Sequence, residues 1–159
     1  MRRLLLARRA AASVEFAICS LAVVLTMFVI LDLGDLALVL SAMTYSAQAA
    51  VRAAALQTGA NLDGLGTSTA CVSQAQIVTL FNNAMPSLLP AATGSGNGTG
   101  GAPAVQASWV QGSGTGTYLQ ITARYSWTAP GMSSLVLPLT VSETQMVQGT
   151  SGTVPAQCS

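Results

Sequence analysis

Residues 7–36 read ARRAAASVEFAICSLAVVLTMFVILDLGDL, and the reading of this stretch decides the fold. From Phe16 to Leu31 no side chain is charged. As a helix that run covers about 24 Å, a little less than a hydrocarbon core of about 30 Å. Ala10–Val14 on one side and Leu33–Leu40 on the other extend the apolar segment, which then takes in Glu15, Asp32 and Asp35. Arg2, Arg3, Arg8 and Arg9 precede the segment and no cation follows it closely. That asymmetry sets the amino terminus in the cytoplasm and the rest of the chain outside. Asp32 and Asp35 then fall near the outer interface, where a carboxylate costs little.

Helix-forming sequence continues past Asp35. LALVLSAMTYSAQAAVRAAALQTG, residues 36–59, is rich in Ala and Leu and has no proline, with Gly59 as its first strong stop. One helix is therefore predicted over residues 11–58, about 70 Å long at 1.5 Å per residue. Its membrane anchor runs over about residues 16–40, with a stalk above. Ser46, Ala47, Ala49, Ala50, Ala53 and Ala54 line the upper part, and such small side chains permit close helix–helix approach. Two uses stay open: packing beside other helices of the same kind, or a plain anchor with a helical stalk.

The totals narrow the function. Of 159 residues only 7% are charged, against about 25% in an ordinary soluble protein, and the mean hydropathy is +0.55. A membrane-associated or filament-forming chain fits that balance. The net charge of +1 conceals an asymmetry: beyond Ala10 the chain holds two cations against five acids. With no basic patch in the body, nucleic-acid binding is not expected. The sequence has no histidine and no lysine, so the commonest general base and the Schiff-base amine are missing. The serines and threonines lack an activating base, the acids are scattered, and no Gly-rich loop precedes a helix as phosphate binding requires. Three cysteines without histidine do not make a metal site. The expectation is a protein without enzymatic activity, cofactor or metal.

Glu15 is the residue that needs an explanation. An ordinary secretory signal places small residues after its apolar core, whereas here the alanines come before it. A lipid-anchored reading through Cys19 puts bulky Ile18 where a small residue is needed. A third reading accounts for the acid. If the basic leader, residues 1–10, is cut between Ala10 and Ala11, Ala11 gains a free amino group and Glu15 stands four residues on, one helical turn above it. The carboxylate then lies in the first turn, where the helix dipole favours negative charge. It neutralises the new ammonium of its own chain or of a neighbour. An unpaired acid deep in a membrane costs about 3 kcal/mol on insertion scales, so such a pair between chains would fix the register of packed helices. The plain alternative is an interfacial acid at a helix start.

RRAAASVEFAI, residues 8–18, followed by a long apolar helix, resembles the amino-terminal segment of the TadE-like proteins. These are minor pseudopilins of the tight-adherence (Tad, or Flp) branch of type IV pilus systems. Ala10 matches the cut position, where the family more often has glycine. Ala11 matches the first mature residue, and Glu15–Phe16 the acid–aromatic pair. YSAQAAVRAAAL, Tyr45 to Leu56, looks like the Ala/Arg-rich close of the family's helix. The resemblance covers roughly the first sixty residues. It implies cleavage by a membrane-embedded prepilin peptidase on the cytoplasmic face, with other pilin and pseudopilin subunits, the inner-membrane assembly platform and the lipid bilayer as partners. It also implies a structural role in building an adhesive pilus.

The remainder, residues 59–159, is expected to be a small periplasmic head. GANLDGLGTSTA, residues 59–70, reads as a linker, and Ser73 to about Met85 as an amphipathic helix N-capped by Ser73 and ended by Pro86. Ile77, Val78, Leu80 and Phe81 form its buried face. Residues 91–103 are a low-complexity loop whose Asn97-Gly98-Thr99 matches a glycosylation sequon by composition alone. AVQASWVQ (104–111) and TYLQITARYSW (117–127) read as a hairpin, with Leu119, Ile121, Ala123, Tyr125 and Trp127 on one face. LVLPLTVSETQMV (135–147) supplies a third strand, with Pro138 arguing for an edge strand or an early position in it. Trp109 and Trp127 read as core residues rather than a ligand platform. An exported head favours a disulfide between Cys71 and Cys158; the alternative is two unpaired thiols. The predicted fold class is α+β, a long amino-terminal helix carrying a small antiparallel sheet of three or four strands laid against its upper part, in the manner of pilins. The alternative function is an uncleaved, membrane-anchored binding or scaffold protein of the cell envelope.

Overall fold

The computed structural model describes residues 2–62, 71–87, 89–94, 101–111, 117–129 and 132–147, with only the backbone described for residues 2–12, 62, 111, 132 and 133. In chain order the elements are α1 (Arg2–Leu62), α2 (Gln74–Ala84), β1 (Ala104–Gln111), β2 (Thr117–Ala129) and β3 (Met132–Met146). The architecture is α+β, with a long apolar helix followed by a three-stranded antiparallel sheet in the order β1-β2-β3.

Helix α1 is about 90 Å long at 1.5 Å per residue, and it exceeds the expected bounds at both ends. It already includes the leader at Arg2, and it passes through Gly59 to Leu62. A glycine inside a helix costs about 1 kcal/mol relative to alanine. Here tertiary packing overrides that stop, because Thr58, Gly59 and Asn61 are buried. The Thr58 hydroxyl also accepts a hydrogen bond from the Val72 backbone N–H at 3.3 Å, tying the last turn to the returning chain.

Helix α2 starts where Ser73 predicts. Ser73 Oγ accepts from the Gln76 N–H at 3.3 Å, and Gln76 Oε1 accepts from the Ser73 N–H at 3.0 Å. This reciprocal capping box satisfies two donors that a helix start leaves open. Ile77 and Phe81 are fully buried, with Val78 and Leu80 partly so.

The strand pattern follows the alternation in the sequence. Leu119, Ile121, Ala123 and Trp127 of β2 are buried with Val105 of β1 against Val39, Met43, Ala47, Ala50, Val51 and Ala54 of α1 and Ile77 and Phe81 of α2. Trp109 and Tyr125 pack at the margin of this core. On the other face Gln120 donates to Ser142 Oγ at 3.0 Å, and Thr122 and Ser142 share a hydrogen bond at 3.4 Å. One face is therefore apolar and covered, the other polar, as one-sided antiparallel sheets require.

The two sheet edges are managed differently. Along β1, Thr93 takes up Pro103 O and the Val105 N–H at 2.8 Å each. The Gln74 side-chain amide then donates to Val105 O at 2.6 Å and accepts from the Ala107 N–H at 3.0 Å, standing in for a further strand. β3 is the other edge and holds Pro138, opposite Ser126, consistent with the rule that strand prolines belong at edges.

Two polar contacts lay the sheet along α1. Trp127 Nε1 donates to Asp35 Oδ2 at 2.9 Å, and Gln48 Nε2 donates to Glu143 Oε1 at 3.3 Å. Asp35 and Gln48 stand about 20 Å apart along a helix. Glu143 pairs with Ile121, and Ile121 and Trp127 are also about 20 Å apart along a strand. Equal separations mean parallel axes: β2 descends towards the base of α1 and β3 climbs beside it.

Candidate assembly helix and its junction with the head

α1 divides into two lengths with different surroundings. From Ser13 to Leu33 every side chain is exposed except Ser20 and Asp32, which are half-buried. Val14–Leu33 as a helix spans about 30 Å, the thickness of a hydrocarbon core. The helix is long and apolar enough to cross a membrane, and its most apolar window has no buried residue. Its hydroxyls turn inward: Ser20 Oγ donates to Ala17 O at 3.0 Å and Thr26 Oγ1 to Ala22 O at 2.8 Å. Bonded in this way, Ser and Thr cost little in lipid. A shallow groove runs down one side, lined by Ala22, Val23, Thr26, Met27, Ile30 and Leu31.

Above Asp35 the head begins. Leu36 packs against the core and Val39 is buried in it, so the length of α1 that is exposed on all sides ends near Asp35, while Leu38 above it stays exposed. The small residues are also used differently from the expectation. Ser46, Ala47, Ala50 and Ala54 are buried under the chain's own α2 and sheet, and close approach here serves the head. Ala49 and Ala53 are half-buried.

Glu15 and Phe16 are both exposed on α1, Phe16 at 76%. Arg2, Arg3, Arg8, Arg9, Ala10 and Ala11 lie on the same helix, and their side chains are outside the described residues. Because α1 starts at Arg2, Glu15 is not in the first turn of the full-length chain; it takes that place only in a chain that starts at Ala11. Cys19 is a free, exposed thiol and Cys71 is in a disulfide. Cys158, the expected partner, lies outside the described residues, as do Asn97 and most of the loop around it. Among the described residues no group of His, Cys, Asp and Glu could hold a metal ion.

The contact that sequence reasoning missed is Trp127–Asp35. Nothing in the local pattern links residues so far apart, although an acid just above an apolar run and a tryptophan at a strand end are each recognisable. Gln74 was equally hidden, since its partner is a strand edge visible only after folding. No family model, no curated protein and no solved structure matches the chain.

Proposed function

We propose that the chain is a minor pseudopilin of the TadE-like kind, a structural subunit for assembling a Tad/Flp-type adhesive pilus. In this reading it sits in the inner membrane with its amino terminus in the cytoplasm and its head in the periplasm. A prepilin peptidase cuts between Ala10 and Ala11, and Glu15 then meets the new ammonium group and sets the register against neighbouring pilin or pseudopilin helices. The supporting observation is the division of α1. An exposed apolar length of about 30 Å with Glu15 at its base stands below a head that covers only the upper half. A helix built this way has a whole flank left for lipid and for other helices of the assembly platform or fibre.

Intact mass and amino-terminal sequencing of the protein from its native envelope test this reading. A mature chain starting at Ala11 is the expected result, and retention of Met1 and the four arginines would defeat it. One observation favours the second reading, an uncleaved anchored scaffold or binding protein. α1 runs without interruption through the Ala10–Ala11 bond, and a peptidase must unwind that turn before cutting.

A further inference from the structure

The lower end of the sheet carries an apolar surface that the core does not use. On β3, Leu135 and Val136 are 42% and 51% exposed. Val136 stands opposite Thr128, next to the Leu137–Trp127 pair. Trp127 is bonded to Asp35, and the strands run alongside α1. The Thr128–Val136 pair therefore lies about 3 Å closer to the base of the helix than that hydrogen bond. Three ångströms is about two helical residues, which is the level of Leu33, where the exposed apolar run of α1 ends. Ala129 and Met132, paired with each other, lie lower again.

We infer that this end of the head seats in the bilayer interface, with Leu135 and Val136 entering lipid at about the height of Leu33 of α1. The occupant is fixed by height: the patch stands level with the upper end of the exposed apolar run of α1, the candidate membrane span. Charge agrees with it. The head's described charged side chains are Arg124 and Glu143, opposite Thr140 and Ile121, well above the patch, and the carboxylates near its height, Asp32 and Asp35 of α1, suit an interface rather than the hydrocarbon core. The backbone agrees too. Val147 N–H bonds Thr117 O, so by strand alternation the even-numbered residues of β3 turn their N–H groups to the open edge. Pro138 is even-numbered and has no N–H. It deletes one of the edge donors nearest the lipid, where an unpaired donor is most costly. The head is thus held at the membrane by two attachments, the helix and the hairpin end, which stops it from swivelling freely about α1.

The test uses the full chain in phosphatidylethanolamine–phosphatidylglycerol vesicles, with the photoreactive residue p-benzoylphenylalanine in place of Val136. The same residue replaces Leu135 in a second variant and Thr144, near the top of β3, in a control. After irradiation, mass spectrometry should find lipid adducts at positions 135 and 136 in several-fold excess over 144. Equal yields at all three positions, no lipid adduct at 135 and 136, or cross-links from them to a second copy of the chain would each overturn the inference. It rests on α1 crossing the bilayer and not on a role in pili. Release of the chain by alkaline wash of the vesicles would overturn it, whereas retention of the leader would leave it standing.

Discussion

Below Asp35, α1 exposes Leu, Ile, Val, Met and Phe; above it, the apolar residues that the same helix buries are mostly Ala, with Val39, Val51 and Met43. In a water-soluble protein the large apolar side chains go inside. The order is reversed on a helix that is long and apolar enough to cross a membrane. Lipid tails accept bulky aliphatic side chains as readily as a protein core does, so nothing drives those residues under the head. The upper half must instead let a sheet and a second helix approach closely, and alanine allows that. The helix is continuous, yet its two halves have different surroundings.

Four substitutions test this contrast. The largest effect compares one residue type on one helix: Met43 is 0% exposed and Met27 is 61% exposed. Met43→Ala should destabilise the head by about 2–5 kcal/mol through cavity formation. Met27→Ala should stay within about 0.5 kcal/mol. Denaturant unfolding of the full chain in detergent, followed by tryptophan fluorescence, reads both; equal losses would mean that the two halves share one core.

Asp35→Ala probes the boundary itself. It removes the acceptor for Trp127 Nε1, and losing a hydrogen bond to a charged group should cost about 1.5–3 kcal/mol, towards the lower end because the carboxylate is partly open to solvent. The indole N–H should exchange faster with deuterium, by NMR, than in the parent chain. An unchanged exchange rate would mean that the sheet is not fixed to α1 at this point.

Glu15→Ala should have the smallest effect on folding, within about 0.5 kcal/mol, since the residue is exposed and remote from the head. Under the proposed function it should nevertheless abolish or sharply reduce piliation, counted by electron microscopy, while membrane insertion is kept. Normal piliation would remove Glu15 from any role in register.

Much of the head was legible locally. Ser73 and Gln76 fix the start of α2, alternation along residues 117–127 names the buried face of β2, and Pro138 marks an edge. Each is a short-range rule that acts over one turn or one strand. The candidate site was legible only in part. Glu15 and Phe16 stood out because an acid beside a long apolar run is anomalous. The head's reach down to Asp35 was not visible, since no local preference couples Trp127 to a carboxylate on another element.

The amino-acid sequence by itself determined the kinds of element: a proline-free helix with an apolar base, a capped second helix, and strands with one apolar face. Those follow from backbone preference and hydrophobic period, which neighbouring residues set. Only the tertiary structure settles how far down α1 the head reaches, which of the alanines it covers, and that the helix outlasts Gly59. These depend on which surfaces meet, and burial between distant segments outweighs a local cost of about 1 kcal/mol.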